Sequence, residues 1–76
     1  LKNSNDIETI INLSEKYFIN KEYDNSFNLL LDVYLKFKDK KRQKIKDILI
    51  KYFNALGNDN EKTKFFRKKF SSIMFS

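Results

Sequence analysis

The sequence predicts an all-α fold: four helices arranged as two stacked antiparallel helical hairpins. Apolar residues recur at three- and four-residue steps in four successive segments. No segment alternates apolar and polar residues as a half-buried strand would. The joints between segments are short, roughly two to six residues, which favours antiparallel neighbours.

In the first segment, Ile7, Ile10, Ile11, Leu13, Tyr17 and Phe18 follow Asp6, whose carboxylate can accept from the free amides of a helix start. The pattern fades at Asn20–Lys21. After Asp24, Phe27, Leu30, Leu31, Tyr34 and Phe37 mark a second helix. Its stretch LLLDVYL is apolar nearly all round, so it should be the most buried. KDKKRQK, residues 38–44, spans a turn and the first turn of the third helix, where positive charge opposes the helix dipole. Ile45, Ile48, Leu49, Tyr52, Phe53 and Leu56 form the third stripe; Phe66, Phe70 and Ile73 form the fourth, with Phe65 and Met74 beside it. Gly57 is the sole glycine of a chain without proline. Directly after Leu56, it is expected at the position just past a helix end, in a left-handed conformation. Asn58-Asp59-Asn60 then supplies turn formers and a cap for the fourth helix.

With 76 residues the chain is one domain, residues 1–76, and its stability is expected to be marginal. Hydrophobic residues are 41% and aromatics 16%, enough for a core despite 34% charged residues. The absence of Cys and His removes thiolate metal sites, disulfides, thiol nucleophiles and imidazole acid–base chemistry from this chain. The carboxylates show no pairing that spacing compels. An enzyme is therefore not expected, and neither is a cofactor or a metal. No apolar run approaches the roughly 18 residues of a membrane span, and no signal-peptide pattern is present; a soluble piece is expected. It opens on Leu1 rather than Met, as a fragment of a longer chain would.

Net charge is +6, from fourteen Lys and two Arg against ten acidic residues. Nine Asn, eight Ile and one Ala accompany this, a bias that AT-rich codons produce without selection for charge. Lys40, Lys41, Arg42 and Lys44, and then Arg67, Lys68 and Lys69, read either as solvated faces or as a surface for a polyanion or acidic protein. The alternative function is thus a small basic helical domain binding nucleic acid non-specifically. The aromatics sit at core spacing rather than among the basic runs, which makes nucleic acid the weaker partner class.

Ile10, Leu13–Ser14, Tyr17, Ser26, Leu30 and Val33 stand at the spacing of a tetratricopeptide motif, with EYDNSF at its turn, and residues 10–33 resemble that motif. Ser14 and Ser26 are small enough to let two helices approach closely. The motif's usual glycine and proline are replaced by Ser14 and Lys38. Further on, Phe53, Leu56–Gly57, Asn58–Asp59 and Phe66–Arg67–Lys68–Lys69–Phe70 give residues 42–75 a likeness to the C-terminal segment of YbbN-type thioredoxin-like co-chaperones.

That resemblance implies a bacterial cytoplasmic protein with a thioredoxin-fold domain upstream, whose redox activity this segment leaves open. It implies a module that binds unfolded clients and chaperones of the Hsp70 or chaperonin classes, without catalysis; homo-oligomers are compatible with it. On the repeat alignment, Glu8, Ile11, Glu15, Phe18 and Ile19 face the inner, concave side. There they either pack against the third helix or touch a client or partner. Arg67, with Met74 and Phe75 of the terminal helix, completes the expected partner-binding set; an apolar terminus can dock in a groove.

Overall fold

The computed structural model describes residues 6–75, apart from the Asp39 side chain. Its helices are α1 (Ile7–Ile19), α2 (Tyr23–Lys36), α3 (Asp39–Leu56) and α4 (Glu61–Met74), with no strand among the described residues. They form the two antiparallel hairpins that the sequence predicts. α2 packs on the other three, α1 also touches α3, and α1 and α4 do not meet.

Two of the four helix starts are capped as their residues suggest. Asp6 accepts from the Glu8 amide at 3.4 Å, and Asn60 accepts from the Lys62 amide at 2.8 Å. α2 begins at Tyr23, one residue before Asp24, and its N-cap is Glu22, whose side chain makes no cap bond. Phe37 falls just outside α2 as its C-cap.

The turn chemistry differs from expectation at both hairpin bends. α1 ends with the Lys21 amide donating to Phe18 O and the Glu22 amide to Tyr17 O, the paired bonds of a Schellman cap. The left-handed residue this cap requires is Lys21, at φ 66°, where no glycine marks it. Gly57 is itself the C-cap of α3, its amide still donating to Phe53 O at 3.0 Å. Its φ of 96° is positive, but its ψ of 150° places it in the extended glycine-only region rather than in the left-handed helical one.

The core runs through all four helices: Ile10 from α1; Phe27, Leu30, Leu31, Val33 and Tyr34 from α2; Ile45, Leu49, Tyr52 and Phe53 from α3; Phe66 and Phe70 from α4. α2 carries more of it than any other helix, as its apolar run predicts. At the centre Phe27 stacks on Phe53 at 5.1 Å and on Phe66 at 4.9 Å. The close approach of α1 and α2 rests on two fully buried serines: Ser26 Oγ donates to Ser14 O at 2.8 Å, and Ser14 Oγ donates to Ile11 O at 2.8 Å.

The second hairpin repeats the first. Ile10, Ser14, Tyr17 and Phe18 of α1 correspond to Ile45, Leu49, Tyr52 and Phe53 of α3, and Ser26 and Val33 of α2 to Thr63 and Phe70 of α4. α2 turns Phe27, Leu30, Leu31 and Tyr34 into the core, whereas α4 has exposed Lys64, Arg67, Lys68 and Ser71 in their places. That side of α4 is therefore solvated.

Candidate protein-binding surface

The five α1 residues expected on the inner side divide by their relation to α3. Glu8 pairs with Lys44 Nζ at 3.0 Å, both side chains more than half exposed. Such a pair stabilises by at most about 1 kcal/mol. Phe18 stacks on the Tyr52 ring at 4.2 Å and meets Tyr23 edge-on at 5.1 Å. Ile11 is half-buried against the core. Glu8 and Phe18 thus reach α3 across the α1–α3 seam. Glu15 is exposed and Ile19 is 68% exposed, so these two offer free surface.

The seam shapes the chemistry of Tyr52. Burial pushes its phenol above the ordinary 10.0; a hydrogen bond with Ser14 at 3.4 Å opposes this, and the Glu15 carboxylate adds to the rise. Tyr52 is thus a neutral packing element.

On α4, Arg67 is exposed yet engaged. Its Nη1 donates to Asn58 Oδ1 at 3.1 Å and its guanidinium lies over the Phe53 ring at 5.3 Å. Arg67 therefore ties α4 to the Gly57 bend. Met74 is half-buried against the core, while Phe75, the C-cap of α4, is 83% exposed. The expected set thus divides between α1, the middle of α4 at Arg67, and the end of α4 at Met74 and Phe75.

Phe65 adds a further exposed aromatic side chain on α4. It is 62% exposed, meets Phe66 edge-on at 4.9 Å, and borders a shallow groove of about 400 Å³ with Lys68, Lys69 and Ser72. Its sequence signal was its position one residue off the Phe66–Phe70–Ile73 stripe. On α3, Ile50 is also exposed; it corresponds to Glu15 of α1.

Several of the basic positions are accounted for locally. Arg42 Nε donates to Tyr34 O and Phe37 O, both at 3.0 Å, and stacks over the Tyr34 ring at 4.8 Å, capping the C-terminal carbonyls of α2. Lys62 pairs with Asp24 at 2.7 Å, and Lys69 donates to Asn28 at 3.3 Å. Among the described residues no group of three acidic side chains could hold a metal, and no helix is long and apolar enough to cross a membrane.

Paired helices stacked in register, with exposed apolar side chains, define a helical-repeat domain of the protein-interaction class. The chain belongs to the tetratricopeptide repeat family, whose model matches residues 1–75. No curated protein and no solved structure gives a significant match.

Proposed function

We propose that this chain is the protein-binding module of a thioredoxin-like co-chaperone of the YbbN type, holding unfolded clients or a larger chaperone without turnover or cofactor. Ile19, Phe65 and Phe75, large apolar side chains left in solvent on a small repeat domain, are the observation that carries this reading. The residues behind the resemblance support it as one connected unit: Phe53 accepts from Gly57, and Arg67 bridges Phe53 and Asn58.

Binding would proceed by reversible burial of apolar client surface. Three such side chains supply roughly 5 kcal/mol before association costs, which suits weak and reversible holding. The longest dimension is 40 Å. An extended client of about a dozen residues can span that, at about 3.3–3.6 Å per residue. The upstream thioredoxin-fold domain, the bacterial source and the cytoplasmic location belong to the same proposal.

The test is light scattering from a thermally unfolding reporter enzyme, with and without this chain, at moderate salt. Suppressed aggregation, weakened by Ile19→Ser and Phe75→Ser together, is the expected result. Aggregation unaffected by the parent chain would reduce the module to a scaffold. Binding only to DNA, and only at low salt, would favour the nucleic-acid alternative.

A further inference from the structure

The positive charge of this chain gathers in two places. Residues 36–44 carry six Lys and Arg against one Asp, and residues 62–69 carry five against none, so each stretch has a local charge of +5. Codon bias spreads lysine along a chain and does not explain that concentration.

The fold explains part of it. Arg42 caps α2, and Lys44 pairs with Glu8. Lys36, Lys38, Lys40 and Lys41 have no ion-pair partner among the described residues, and Lys38 and the two lysines after it occupy the start of α3, where cations are disfavoured. Four like charges set around one bend repel one another, and a local rule broken without a structural return marks a functional position. These lysines and Phe37 line an open cleft of about 880 Å³ at the α2–α3 corner, on a backbone held in place by Arg42.

We infer that this corner is a second docking site, distinct from the apolar surfaces, and that it binds an acidic segment of a partner protein. Carboxylates supply the missing counter-charge, and Phe37 gives the segment an apolar footing. The corner fits nucleic acid less well. Its one arginine is already committed to α2, and Phe37 has the Lys41 ammonium 5.5 Å from its ring centroid, where a base would stack.

The test is fluorescence anisotropy with a short labelled peptide of Glu and Asp, against single-stranded DNA of equal charge. Two variants that lose the same charge are compared: K36Q/K38Q/K40Q/K41Q at the corner, and K16Q/K51Q/K64Q/K68Q elsewhere. Circular dichroism confirms that both are folded. The corner variant should bind the peptide about tenfold more weakly, and the distributed variant should stay within about twofold of the parent. Equal weakening in both would reduce the attraction to net charge and overturn the site. So would the absence of peptide binding, or tighter binding of the DNA through the same lysines. The client assay does not depend on these lysines, so the two readings can fail separately.

Discussion

Phe27→Ala is the sharpest test of the packing described above. The ring is fully buried, with Phe53 and Phe66 stacked against it and Phe18 and Tyr52 edge-on at 6.4 and 6.3 Å. Truncating a Phe in such a place costs roughly 3–5 kcal/mol through lost transfer energy and the cavity left behind. A domain of this size has roughly 4–11 kcal/mol of total stability. The variant should therefore lose about a quarter or more of its stability and be partly unfolded at 37 °C if the parent lies at the lower end. Urea denaturation followed by helical circular dichroism measures this, with Phe65→Ala as the control. Phe65 is largely exposed, and its loss should cost no more than about 0.5 kcal/mol. If Phe27→Ala costs under about 1.5 kcal/mol, or no more than Phe65→Ala, the central aromatic stack is wrong.

Three further outcomes follow from individual side chains. Thr63 Oγ1 is buried without a hydrogen-bond partner, so Thr63→Val should stabilise by about 1–2 kcal/mol in the same denaturation assay. The two bends should respond in opposite directions. Lys21→Gly relieves a left-handed conformation and should gain about 0.5–1 kcal/mol. Gly57→Ala has open space for its Cβ but an unfavourable φ, and should lose about 1–2 kcal/mol. Finally, because the folded-state pKa of Tyr52 is raised, the folded chain keeps that proton at a pH where the unfolded chain releases it. Its contribution is complete below 10.0 and is lost as pH climbs above it, so Tyr52→Phe should flatten the alkaline fall in melting temperature relative to the parent.

Much of the fold was legible because it rests on local rules. The stripes through Ile45–Phe53 and Phe66–Phe70, the Asp6 and Asn60 caps, and the serine contact between α1 and α2 all follow from spacing and side-chain size. What escaped depends on relations across a bend. Nothing in the letter Lys announces that residue 21 closes a Schellman cap. Residues 38–44 gave no sign that Arg42 would reach back to two carbonyls of the preceding helix end. The repeat spacing grouped Glu15 and Ile19 with Phe18 on one side of α1. It could not separate them from Phe18, which Tyr52 covers, because that depends on how α3 crosses α1.

The central claim, a protein-binding module working through its exposed apolar side chains, is tested most directly by amide chemical-shift mapping on the isotopically labelled chain. It would be titrated with a permanently unfolded, uncharged polypeptide at moderate salt. Shifts gathered around Glu15–Ile19 and around Phe65 and Phe75 are the predicted result. An unchanged spectrum, or shifts confined to the lysines and abolished by salt, would contradict it.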